Sequence, residues 1–168
     1  MIVVAAAASA AVLLSRGTSS QFRRDGISVQ VPKGWRVTDE RINGVVDPVT
    51  VFTASTFRIA ARATSSGICS PPLQRAWRAS GAYVQLAEER DGASLNRMLP
   101  RVQARPKHFV LSARGRGGLC SPADSGELTF KQRCRAFYVF YGIGRKASKL
   151  VRARVVALLD SMKIAARQ

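Results

Sequence analysis

A single histidine, His108, stands in a chain of 168 residues. A Ser/His or Cys/His catalytic pair would have to be built on it. It sits in Arg105-Pro-Lys-His108, a basic stretch with no neighbouring acid to orient an imidazole, and reads as a surface histidine. Cysteine is scarce as well. Cys69, Cys120 and Cys134 show no CxxC or zinc-like spacing, which with one histidine speaks against a structural metal site. No phosphate-loop or dinucleotide fingerprint occurs, so no cofactor is expected. The apolar run Met1 to Leu14 falls short of the roughly 20 residues that a transmembrane helix needs.

Acid is the other shortage, and it is uneven. Up to Asp91 the chain holds 11 Lys and Arg against 7 Asp and Glu; from Gly92 onward it holds 16 against 3. Gly92 to Ala123 contains no acid, and neither does Leu128 to Leu159. A field of one sign attracts polyanions and speeds their encounter, so it informs about partners and leaves the fold open. Arg supplies 21 of the 27 cations. Genome composition alone can produce that bias, whereas the clustering is harder to dismiss.

Met1 to Leu14 carries one Ser and no charge, and has the length of a signal-peptide h-region. Residues 1–25 therefore read as a signal-like apolar segment and a polar linker, Arg16 to Gly26 being Gly/Ser-rich; residues 26–168 read as one domain. Export is expected, by cleaved signal or retained anchor, to an extracellular or envelope location. A buried N-terminal helix of a cytosolic protein is the alternative. An exported protein can keep a disulfide. Cys69 and Cys120 both lie in turn-like contexts, Gly-Ile-Cys-Ser-Pro-Pro and Gly-Leu-Cys-Ser-Pro, and are the favoured pair, leaving Cys134 odd.

Ile27, Val29 and Val31 alternate with Ser28 and Gln30, the period of a half-buried strand. Pro32 to Gly34 reads as a turn and Trp35 to Thr38 as a short strand. Val49 to Ala61 reads as a strand bent near Ser55, Pro71 to Ala79 as a helix, and Tyr83 to Glu88 as a strand. Arg90 to His108 reads as a loop with one helical turn, Phe109 to Ala113 as a strand, and Gly115 to Gly126 as a long loop. Leu128 to Gln132 and Arg135 to Tyr141 form a hairpin pattern across Arg133-Cys134. Leu150, Val151, Val155, Leu158, Leu159 and Met162 follow helical spacing, which predicts an amphipathic helix from Ser148 to about Lys163 laid on a sheet. Short strands first and one long helix last indicate an α+β fold with a mostly antiparallel sheet.

Gly26-Ile-Ser-Val-Gln-Val-Pro-Lys-Gly-Trp35, Val46-Asp-Pro-Val49 opening a strand, and Leu159-Asp-Ser-Met-Lys-Ile164 closing the last helix resemble the PsbP-like family. They resemble uncharacterised exported proteins of high-GC Gram-positive bacteria more closely still. The resemblance covers most of Gly26 to Ile164 and implies an α/β/α sandwich, a central antiparallel sheet with helices on both faces. It carries no role in photosynthetic water oxidation, because fold analogy does not transfer function.

Adjacent residues on a strand point to opposite faces, so neither Asp39-Glu40 nor Glu88-Glu89 makes a shared acid/base site by itself. Cys134, between Arg133 and Arg135, sits where cations favour a thiolate, but no base or resolving cysteine stands beside it. The chain therefore reads as a non-enzyme. Arg114-Gly-Arg-Gly-Gly118 resembles one RGG unit, a motif that binds nucleic acid in repeated arrays. Arg145, Lys146, Lys149, Arg152 and Arg154 crowd the start and first half of the last helix, where cations oppose the helix dipole. Arg114, Arg116, Lys146, Lys149 and Arg152 are the candidate polyanion-binding set. The expected partner is an acidic surface or polymer: anionic lipid through peripheral membrane contact, an envelope polymer or an acidic protein. A cytosolic basic protein that binds nucleic acid is the alternative.

Overall fold

The computed structural model describes residues 19–39, 47–59, 77–111 and 124–167. Strands dominate. In chain order the elements are β1 (Ser20–Arg24), β2 (Ile27–Val31), β3 (Arg36–Thr38), β4 (Val49–Ser55), β5 (Ala82–Glu88), α1 (Gly92–Met98), β6 (Asp124–Gln132), β7 (Arg135–Ile143), α2 (Lys149–Asp160) and β8 (Lys163–Ile164). The strands form two antiparallel sheets, one of order β1-β2-β8 and one of order β3-β4-β5-β7-β6. The fold is α+β and antiparallel, as the sequence predicts, with its strands divided between two sheets.

The alternation read in Ile27 to Val31 is the inner face of β2: Ile27, Val29 and Val31 are each 1% exposed. They meet Phe52 and Ala54 of β4, Val84 and Leu86 of β5, and Phe137, Val139 and Tyr141 of β7 in one apolar cluster. Helix α2 adds Val155, Leu158 and Leu159, all fully buried. The chain then turns at Ser161, and Ile164 pairs with Ile27, so the C-terminus is tied to the first hairpin.

Several expected boundaries move, each for a physical reason. The linker expected over Arg16 to Gly26 instead ends in strand β1, joined to β2 by a two-residue turn. Asp25 (φ 49°) and Gly26 (φ 72°) both take the left-handed conformation, the geometry that Asp-Gly favours in hairpins. The strand expected from Val49 stops at Ser55, and its irregularity falls between Thr50 and Phe52 rather than near Ser55. Within the loop expected over Gly115 to Gly126, residues 115–123 lie outside the described residues, and β6 already begins at Asp124. Gly126 is a strand residue facing Tyr141, and a Cβ there would strike that phenol. Phe109 to Leu111 form no strand: the Phe109 N–H donates to Asp160 Oδ1 at 2.9 Å, and its ring packs on Phe130. The last helix ends at Asp160, short of Lys163. Of the helix expected at Pro71 to Ala79, residues 71–76 lie outside the described residues, and Trp77 to Ala79 are not helical.

Candidate functional site

Strands β6 and β7 pair along their whole length, from Asp124 opposite Ile143 to Gln132 opposite Arg135. That register leaves Arg133 and Cys134 as a two-residue turn, with φ of 53° and 58°. Neither residue type favours the left-handed region. Beside the turn, residues 103–107 lie along β6. Ala104 bridges Lys131, the Arg105 N–H donates to Lys131 O at 2.9 Å, and the Lys131 N–H donates to Gln103 O at 2.8 Å. Between this pinned segment and the turn opens a groove of about 720 Å³. Leu99, Ala104 and Pro106 supply its apolar lining; Arg105, Lys107, Lys131, Gln132, Arg133 and Cys134 supply the rest. Among the described residues, four cations line it, with no carboxylate and no imidazole.

Two of those cations are structurally committed. Arg105 Nη2 donates to Leu159 O and Asp160 O, both at 3.1 Å, so its guanidinium closes the C-terminal, electronegative end of α2. Burial lowers the Arg105 pKa, with the Asp160 charge opposing; an arginine remains protonated regardless. Lys131 Nζ donates to Leu99 O at 2.6 Å. Lys107 and Arg133 are exposed and make no ion pair among the described residues. On two of the lining residues, Arg105 Nε and Gln132 Oε1 are buried and have no hydrogen-bond partner among the described residues.

The candidate polyanion set from the sequence lies elsewhere. Lys146 and Lys149 are exposed and Arg152 half-buried, all at the beginning of α2. Ser148 caps that end, its Oγ accepting from the Val151 N–H at 3.3 Å. At about 1.5 Å of rise per residue, the helix separates these cations from the groove by roughly 15 Å. Arg114 and Arg116 fall outside the described residues, as do Cys69 and Cys120. Cys134 is exposed and unpaired. His108 is exposed, as expected, but the acid absent from its sequence neighbourhood comes from α2: Asp160 Oδ2 lies 3.4 Å from Nδ1.

Glu88 and Glu89 diverge, as alternation requires, and each finds different company. Glu88, 1% exposed, accepts from Arg135 Nε at 2.7 Å and from Arg90 Nε at 3.2 Å, with Arg167 at 3.7 Å. Arg90 also pairs with Asp25 of the first hairpin. Glu89 shares a hydrogen bond with Asp47, a partner 42 positions away that strand alternation could not reveal. Burial first, then that bond and the Asp47 charge, push the Glu89 carboxyl up to about 7. Asp47 is held low, chiefly by the Glu89 bond, with support from the N–H groups of Arg90 and Asp91 at 3.1 Å each. One proton on Glu89 thus serves both carboxyls near neutral pH. Asp47 holds the backbone of Arg90, whose side chain bridges Glu88 and Asp25.

The groove's residues went unread in the sequence except at the turn. The hairpin pattern placed Arg133 and Cys134 correctly, and the acid-free stretch after Gly92 marked the region. No local period signals that residues 103–107 dock on β6, because that pairing is long-range and made by the backbone. Comparison with protein-family models, with curated proteins and with solved structures finds no match to this chain.

Proposed function

We propose that this chain is an exported, non-enzymatic domain that binds an acidic partner through its basic C-terminal half, on a scaffold of PsbP-like type. The observation that carries the reading is the groove. Its cations, Arg105, Lys107, Lys131 and Arg133, all come from the half with 16 basic residues against 3 acidic ones. A concave surface lined by one sign of charge focuses its field on an approaching anion. Among the described residues the lining offers cations without a carboxylate or imidazole, a set suited to holding negative charge rather than moving protons. Lys146 and Lys149 extend the basic surface at the far end of α2, so the partner is a surface or polymer. The apolar Met1 to Leu14 supports export to the envelope or beyond. There a Cys69–Cys120 disulfide would leave Cys134 as the odd thiol.

Binding to vesicles of anionic lipid and to a heparin-like polymer, measured across a salt series, tests the reading. Exposed charge contacts fade as the screening length falls from about 10 Å at 0.1 M salt to about 3 Å at 1 M. Lys107→Glu with Arg133→Glu is expected to remove most binding. Lys146→Glu with Lys149→Glu is expected to weaken it, and Arg23→Glu with Arg36→Glu to leave it largely intact. Equal losses from all three pairs would show that total charge, and no particular face, is responsible. Tighter binding to RNA or DNA than to either probe at matched salt would favour a cytosolic nucleic-acid-binding protein.

A further inference from the structure

We propose that the groove beside the β6–β7 turn is a binding site for a small organic anion, a phosphate or carboxylate head on a compact apolar body. The inference takes from that reading only that the groove holds negative charge, and gives the groove a small occupant of its own, separate from the surface or polymer. Small-ligand sites typically enclose about 300–1,000 Å³, and this groove, at about 720 Å³, falls inside that range. Its lining is divided by chemistry: Leu99, Ala104 and Pro106 offer apolar contact, while Lys107 and Arg133 offer uncommitted charge. A bare inorganic anion would leave the apolar side empty, and a neutral apolar molecule would leave the cations unanswered.

Arg105 is clamped by two helix carbonyls through Nη2, so its orientation is set before any ligand arrives.

The backbone at the lip points the same way. Arg133 and Cys134 hold left-handed φ of 53° and 58° where Asn-Gly would sit without strain. Strained positions of this kind concentrate at ligand clamps and active sites. Strands on both sides and the bridge between Ala104 and Lys131 keep the walls in place, so the site needs little ordering on binding.

Cys134 lines the groove and is exposed, which makes it a reporter of occupancy. The experiment follows alkylation of Cys134 by neutral iodoacetamide in the full chain, read on the Cys134 peptide by mass spectrometry. Phenyl phosphate is the probe, with inorganic phosphate and benzyl alcohol as comparators. Saturable protection is expected from phenyl phosphate, reaching about tenfold at ten times its Kd, with clearly weaker effects from either comparator. Lys107→Gln with Arg133→Gln, two exposed positions, is expected to abolish it while the circular dichroism spectrum is unchanged. Absence of protection by phenyl phosphate, or equal protection by inorganic phosphate or by benzyl alcohol, overturns the proposal. Vesicle and polymer binding measured on the same variants separates the two readings. Protection without polymer binding sinks only the macromolecular reading, and polymer binding without protection sinks only this one.

Discussion

Replacing Glu89 by Gln isolates the proton that Glu89 and Asp47 share. Glu89 is 6% exposed, and its Oε1 accepts from the Asp91 N–H at 3.2 Å. Among the described residues, Asp91, Arg90 and the phenol of Tyr138, which hydrogen-bonds Glu89, are the charged and titratable groups that act on the pair. The folded-state value of about 7 against an ordinary 4.5 sets the direction. Between those two values the unfolded chain has released the proton and the folded chain still holds it. Stability must therefore fall as pH rises through this window, and level off above about 7. At about 1.4 kcal/mol per pH unit, the full effect is about 3 kcal/mol. A glutamine fills the same space and donates to Asp47 as protonated Glu89 does, without a proton to lose. Urea unfolding followed by tryptophan fluorescence at pH 4 and pH 8 measures the difference. At pH 4 the variant should match the parent closely. At pH 8 it should be more stable by about 2–3 kcal/mol, roughly the loss that the parent suffers. A stability difference that is the same at both pH values would refute the shared proton.

Two further predictions concern stability at other points of the same framework. Arg135→Met leaves the Glu88 carboxylate, among the described residues, with Arg90 and Arg167 and should cost about 3 kcal/mol, whereas pairing it with Glu88→Leu should recover part of that loss; a single-variant cost below about 1 kcal/mol in urea unfolding would count against a buried pair. Cys134→Gly relieves one left-handed residue of the turn and should raise stability by about 0.5–1 kcal/mol after the entropy of glycine in the unfolded chain is counted, and a lower melting temperature would mean that the thiol makes contacts that outweigh the strain.

What the sequence revealed follows from which interactions leave a local period. β2, β5, the β6–β7 hairpin and α2 were legible because each buries one face or both against the central cluster and shows it in runs such as Ile27-Val29-Val31 and Val155-Leu158-Leu159. β1 was not, because only Phe22 of its five residues is apolar. The readable signal there is Asp25-Gly26, a hairpin turn at the end of a stretch whose composition is that of a linker. Helix α1 buries no residue, so it has no stripe to detect; its one local mark is Asp91, whose carboxylate caps the Ser94 N–H at 2.7 Å. Glycine misled in the opposite direction at Gly126, where it serves close packing against Tyr141 and not a bend.

The candidate site was the least legible part, for a reason that bears on how such sites arise. Each of its cations is unremarkable in its own neighbourhood: Arg105 and Lys107 in a proline-containing loop, Lys131 on a strand, Arg133 in a turn. They become a groove only when residues 103–107 are laid along β6 by two backbone hydrogen bonds, and backbone bonds carry no residue signature. Charge composition still marks the region, because the stretch from Gly92 to Ala123 holds no acid that could neutralise whatever it lines. The same stretch contributes Arg105 to the end of α2, where a carboxylate in its place would face Leu159 O and Asp160 O with repulsion instead of a bond. Basicity at position 105 therefore meets two demands, sealing the helix and charging the groove. Arg105→Met should lower stability through lost hydrogen bonds, whereas the exposed Lys107 and Arg133 should change binding alone.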